Sequence, residues 1–357
     1  MNPPSYNATP SSLSQHHEHH PYRQMRRAHA KRRGRILAVL AACLLAGVVL
    51  TLMLGQSFTP LTTVLRIMGG AEVPGASFTV RELRLPRAVV AVLAGACFGL
   101  GGVAFQTLLR NPLASPDIIG ISTGASTGAV FAIVVLSLSG TAVSIIAIAA
   151  GLGVALLIYG LSWQQGVTGA RLILIGIGLA AMLQSVTAYL LMRAPSWSLQ
   201  EALRWMAGSL NGVQLEQALP LFIALLLFGG LLLSRHRDLE TLRMGDDIAV
   251  GLGVRLALTR ITVVITAVAL VAFATAVTGP IAFVAFLSGP IAARLVGRND
   301  SLLIPSALVG ALLVLLADYA GQFLLPARYP VGIVTGVLGA PYLVYLITRD
   351  NKSRGTL

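Results

Sequence analysis

The sequence predicts an all-α integral membrane protein, a bundle of ten transmembrane helices, and three observations carry that prediction. Hydrophobic residues make up 55% of the 357 positions and charged residues only 11%, against roughly a quarter charged in soluble domains. The apolar residues run almost continuously in stretches of about 20, the length that spans a bilayer as a helix. A membrane barrel would instead alternate polarity over segments of about ten residues. The 37 glycines would weaken a soluble helical core, but they suit helices that approach one another closely in lipid.

The expected spans are residues 36–54, 87–109, 117–137, 141–163, 170–192, 219–234, 258–277, 280–296, 302–321 and 331–348. Residues 1–35 are polar and rich in Pro, Ser, His and Arg, and are expected to be a disordered cytoplasmic tail; residues 36–357 form the membrane domain. Within the tail, His16, His17, His19 and His20 flank Glu18, a set that reads either as a solvated stretch or as a loose transition-metal binder. A cleaved signal peptide is not expected, because the following apolar run is too long and no polar mature domain succeeds it.

Charge sets the orientation. The net charge of +13 is concentrated in Arg23, Arg26, Arg27, Lys31, Arg32, Arg33 and Arg35, where a cytoplasmic flank belongs under the positive-inside rule. An even number of crossings returns the C-terminus, with Arg349, Lys352 and Arg354, to the same side. Both termini are therefore expected to be cytoplasmic in a multi-pass cell-membrane protein, leaving Arg81, Arg84, Arg87 and Arg328 as exceptions outside. Nucleic-acid binding is excluded as the meaning of the charge, since it needs a soluble basic face.

Few residues suggest chemistry. There is no Gly-x-x-x-x-Gly-Lys-Ser/Thr phosphate loop, and the lysines, Lys31 and Lys352, lie in the tails, so the chain is not expected to hydrolyse ATP by that route. No His-Glu-x-x-His or Gly-x-Ser-x-Gly motif is present, and Cys43 and Cys97 fall inside apolar runs as packing residues. No cofactor and no metal site are expected. Asp318 is the clearest ionisable group at lipid depth, readable as a structural hydrogen-bonding residue or a proton relay. Gly95 and Gly99, and Gly120, Gly124 and Gly128, recur every four residues, and each set is expected to line one close-packed helix face. The segment 235–257 is the longest charged stretch between spans; by periodicity alone it is an ordinary loop or an amphipathic docking surface.

At this point several long motifs resemble the FecCD-type family of iron-siderophore and cobalamin importer permeases. They are RELRLPRAVVAVLAGACFGLGGVAFQTLLRNPLASPDIIGISTGAS (81–126), RLILIGIGLAAM (171–182), WMAGSLNG (205–212), MGDDIAVGLGV (244–254), GPIAFVAFLSGPIAARLVG (279–297) and YPVGIVTGVLGAP (329–341). The resemblance covers roughly residues 36–350, in the family's order.

It implies a ten-helix permease subunit of an ABC importer for ferric siderophores. The implied partners are a second permease protomer, identical or paralogous, two cytoplasmic ATP-binding subunits and an extracytoplasmic substrate-binding lipoprotein. Arg84 and Arg87 match arginines that dock the binding protein, giving the electrostatic complementarity that speeds encounter with an acidic partner. A third such arginine is replaced by Gln322, and Arg328 is expected to substitute. The stretch 238–254 matches the family's two short helices in the ATPase cleft, with Leu242, Met244, Gly245, Asp246, Asp247, Ala249, Leu252 and Gly253 as the coupling residues. Ile291 stands where the family commonly has His after Pro, a departure that favours iron chelates over cobalamin. The polar run Gln184, Ser185 and Thr187 in an otherwise apolar span is the candidate lining of a water-accessible translocation path. The competing readings are an ion-coupled secondary carrier using Asp318, a membrane receptor or scaffold sensing metal through the His-rich tail, and cobalamin or heme as the cargo.

Overall fold

In the computed structural model of the chain, residues 20–116, 120–162, 169–297 and 300–354 are described, and the regular elements among them are helical. Helix α1 (His20–Met53) starts well before the apolar span. Arg, Lys, Ala, Gln and Met are good helix formers, and they extend a helix already nucleated in the apolar stretch, which costs far less than starting one. The expectation of an unstructured segment through residue 35 is corrected from His20 onward; His16, His17, Glu18 and His19 lie outside the described residues. The basic end of α1 is also docked: Arg33 donates to the Ser301 carbonyl at 3.1 Å and lies 3.8 Å from Asp300.

A short helix, α2 (Leu61–Met68), follows, and a π-helical turn over Thr79–Arg84 leads directly into α3 (Leu85–Leu108). Next come α4 (Ile121–Val134), α5 (Thr141–Ser162), α6 (Gly169–Met192) and α7 (Ser196–Met206). The rod Leu215–Ser234 contains α8 (Ala218–Ala224), a π turn and α9 (Gly230–Ser234). The charged segment forms α10 (His236–Arg243) and α11 (Asp246–Gly251), and the chain ends with α12 (Leu256–Thr278), α13 (Val284–Val296), α14 (Leu303–Phe323) and α15 (Val331–Arg354).

Helices stand at all ten expected spans, yet among the described residues 7 are long and apolar enough to cross a membrane; Ile121–Val134, Val284–Val296 and Val331–Tyr345 are shorter apolar helices. At 1.5 Å per residue α4 and α13 reach only about 20 Å, short of the ~30 Å hydrocarbon core. The first residues of the span expected at 117–137 lie outside the described residues, and α4 begins at Ile121. The span expected at 280–296 is shortened because Gly279 (φ +70°) and Phe283 (φ +65°) both take left-handed backbone around Pro280, which has no N–H to donate. Gly208 and Gly332 pack against that same corner, where the Gly332 N–H donates to the Gly208 carbonyl at 3.0 Å.

Helix α3 is the hub. Its apolar stretch is 78% buried and that of α12 72%, against 17% for α1 and α6, so α3 and α12 are the core and α1 and α6 the rim. Glycines let three helices close on α3 at once. Gly95 and Gly99 meet the backbone of Gly310 and Ser306 on α14, and Gly102 meets that of Ala285 on α13. A Cβ at Gly101 would stand 2.7 Å from Val271 on α12. The second glycine set divides: Gly124 and Gly128 face Val154 and Ala150 of α5, whereas Gly120 precedes α4 with φ +85° and faces Ala180 of α6. The expectation of one shared face is corrected at Gly120.

Candidate functional site

Polar side chains gather at the two opposite ends of α3, roughly 36 Å apart along its axis. At the N-terminal end, Arg87 grips Asp318 of α14 with two hydrogen bonds, from Nε at 2.5 Å and from Nη2 at 2.7 Å. The Arg87 and Asp318 side chains are 20% and 9% exposed. Such a fork-to-fork pair holds both charges where neither would be stable alone. Arg87 Nη1 also donates to Asn211 Oδ1 at 2.8 Å, and Gln322 Nε2 donates to the same oxygen at 3.1 Å. Gln322 thus fills the place of the missing arginine with a neutral donor in this network.

Arg84 caps the end of α1: Nη1 donates to the carbonyls of Leu52 at 2.8 Å and Met53 at 3.1 Å, and Nη2 to that of Ser57 at 2.6 Å. The Leu52 and Met53 carbonyls are in the last turn of α1, where a helix leaves carbonyls without intrahelical donors, and Ser57 lies in the segment that follows. Both of the arginines expected to dock a binding protein, Arg84 and Arg87, are thus also engaged within the chain. Arg328, in the turn between α14 and α15, is exposed.

At the C-terminal end of α3 the charged segment folds back beneath the bundle. Leu239, Leu242 and Ala249 are buried, while Met244, Ile248, Val250 and Leu252 are 50–65% exposed. Leu242 and Ala249 therefore anchor α10 and α11, and the outward face is Met244 and Leu252 together with Ile248 and Val250, which sequence reasoning passed over. Gly245 (φ +124°) and Gly253 (φ +84°) supply the turns before and after α11, backbone that side chains rarely adopt. Asp247 is exposed beside them.

Asp246 points the other way. One carboxylate oxygen accepts from Arg110, just past α3, and the other from Arg260 Nη2, on α12, at 2.6 Å. Arg110 Nε further donates to the Leu242 carbonyl at 2.7 Å. Partial burial pushes the Asp246 carboxyl up, but the hydrogen bonds and positive charges of Arg260 and Arg110 outweigh it and leave its pKa below the ordinary value.

The expected path residues separate. Gln184 and Ser185 are on the exposed face of α6, among Leu174, Ile177, Met182 and Tyr189. Thr187 is 4% exposed, with its hydroxyl 2.9 Å from that of Thr127 on α4. Its hydroxyl is turned into the packing of α6 against α4, unlike the neighbouring Gln184 and Ser185. Near the Ile291 departure, Pro290 leaves the Phe286 carbonyl of α13 without its helical donor, and Gln106 Nε2 of α3 supplies one at 2.9 Å.

The fold and these clusters define a multi-pass, all-helical membrane protein whose central helix is fastened by ion pairs at both ends. The chain belongs to the FecCD transport family, whose model matches residues 43–349. It is 39% identical to the ferric enterobactin transport system permease protein FepG of Escherichia coli (strain K12) over 89% of this chain and 96% of that one. It is 36% identical to the achromobactin transport system permease protein CbrC of Dickeya dadantii (strain 3937), over 86% and 89%. Among solved structures, a metal-chelate type ABC transporter in an inward-facing conformation superposes with a TM-score of 0.80 at 30% identity, covering 88% of this chain and 99% of that one.

Proposed function

We propose that this chain is the membrane permease subunit of an ABC importer that carries a ferric-siderophore chelate inward, with ATP hydrolysis supplied by separate subunits. The observation that carries the reading is the 39% identity to a ferric enterobactin permease across 96% of that protein's length. In this reading ten helices cross the membrane, both termini are cytoplasmic, and a second permease protomer completes the path. The N-terminal end of α3 faces outside, where Arg328 meets the acidic surface of an extracytoplasmic binding lipoprotein, with Arg84 and Arg87 shaping the platform behind it. The opposite end presents Met244, Ile248, Val250 and Leu252 to one of two ATP-binding subunits. Gln184 and Ser185 are the proposed path residues.

An apolar stripe of this kind on a short cytoplasmic helix is what a protein partner covers. An ion-coupled carrier using Asp318 has less support, since both of its carboxylate oxygens are held by Arg87. The test is uptake of ⁵⁵Fe-labelled ferric tricatecholate into vesicles containing the assembled complex. Nucleotide-dependent uptake is expected; uptake driven by an ion gradient without nucleotide would favour the carrier.

A further inference from the structure

Asp246 stands in the segment proposed to meet the ATPase, yet its carboxylate is turned away from that face. It is the shared anion between two arginines on two different core helices, Arg110 at the end of α3 and Arg260 in the first turns of α12. Arg110 also holds the last carbonyls of α10 through Leu242. These contacts join α10, α11, α3 and α12 in one polar knot, and α3 and α12 are the most deeply buried helices of the bundle.

The exposed apolar residues Met244, Ile248, Val250 and Leu252 stand in and beside the same short helices and take no part in that knot. The segment therefore has two faces with two different jobs. One is apolar, exposed and unpartnered within the chain; the other is charged and bound to the core. The ion pairs of Asp246 reach both core helices from this segment. The ion pairs of Arg235 with Asp238 and of Arg243 with Glu240 join neighbours three residues apart, and Asp238 also accepts a long hydrogen bond, 3.4 Å, from the Thr259 hydroxyl of α12.

We propose that Asp246 is a positioning residue that transmits movement of the α10–α11 segment to α3 and α12, rather than a contact to the ATPase itself. Each arm matters separately: Arg260 ties α11 to α12, and Arg110 ties α11 and α10 to α3. Removing the negative charge leaves two arginines facing one another with no anion between them. The segment then keeps its buried anchors Leu239, Leu242 and Ala249 and the Arg110 bond to the Leu242 carbonyl, but loses the charged bridge that ties it to α3 and α12 together. Docking is retained and transmission is lost. This inference rests on the reading of the chain as a permease driven by a partner ATPase.

The experiment uses the assembled transporter, the full chain with its own ATPase and binding protein, in vesicles, with ⁵⁵Fe-labelled ferric tricatecholate as probe. Two quantities are read: the amount of ATPase that co-purifies with the chain, and iron imported per ATP hydrolysed. For Asp246→Asn the ATPase is expected to co-purify as with the unaltered chain while iron imported per ATP falls about tenfold, the scale of an ordinary coupling between sites. Asp246→Glu, which keeps the anion, restores most of it. Co-purification lost in Asp246→Asn would make Asp246 a docking contact and overturn the proposal; so would import per ATP equal to that of the unaltered chain. Should Asp246→Asn fail to reach the membrane, Arg110→Gln and Arg260→Gln each remove one arm. Each must then lower import per ATP without releasing the ATPase, and an unchanged ratio in both overturns the proposal. If the unaltered complex imports no iron with nucleotide, it is the parent reading that has failed.

Discussion

Single side chains in this protein answer for backbone groups that lipid cannot satisfy. Gln106 supplies the hydrogen bond that Pro290 denies to the Phe286 carbonyl, so Gln106→Leu should destabilise the chain by about 1–3 kcal/mol, the cost of a buried acceptor left unpaired. Thermal unfolding in detergent measures it. Asp318→Asn leaves the Arg87 guanidinium beside a neutral amide, and breaking a buried pair from one side costs roughly 3 kcal/mol or more. The same melts should show it, and if Asp318 is structural, iron uptake by the fraction that folds stays nucleotide-dependent. The pH dependence of Asp246 follows from its sign. Its folded pKa is depressed, so the stability it contributes is present above its unfolded value and disappears as pH falls through the still lower folded one. Iron imported per ATP should therefore be flat from about pH 8 down to about pH 5 as far as Asp246 is concerned.

At the scale of elements, the exposed stripe on α10–α11 carries its own prediction. Replacing Ile248 and Leu252 with Ser removes exposed apolar surface, not core, and should release the ATPase while the chain still inserts and melts normally; co-purification and the melting curve separate the two. Much of this level was legible in the sequence. Continuous apolar runs marked the helices, and Gly95 and Gly99 correctly announced a close helix contact, because period and hydropathy are local properties. Short surface helices such as α2 and α7 were not legible, since neither is apolar enough to register as a span nor long enough to show a face. The pairings were hidden for a different reason: Arg87 and Asp318 are 231 residues apart, and Arg110 and Asp246 are 136 apart. Nothing local shows that Arg84 will hold the Leu52 and Ser57 carbonyls or that Arg87 will meet Asp318. That Gln106 supplies the donor which Pro290 denies to the Phe286 carbonyl is shown only by the fold.

For the whole molecule, the bundle is a rigid centre with a mobile task. Three glycine-lined contacts lock α3 to α12, α13 and α14, while α6 leaves a long apolar face uncovered. In the proposed reading a chain built this way, with the segment offered to the ATPase fastened to the central helices, is a lever and a conduit whose energy comes from another subunit. Reconstituting it in sealed vesicles, with and without the partner ATPase, protomer and binding protein, addresses that directly. Accumulation of ⁵⁵Fe-labelled chelate should require both the ATPase and hydrolysable ATP; accumulation against a gradient by this chain alone, with no nucleotide present, would contradict it.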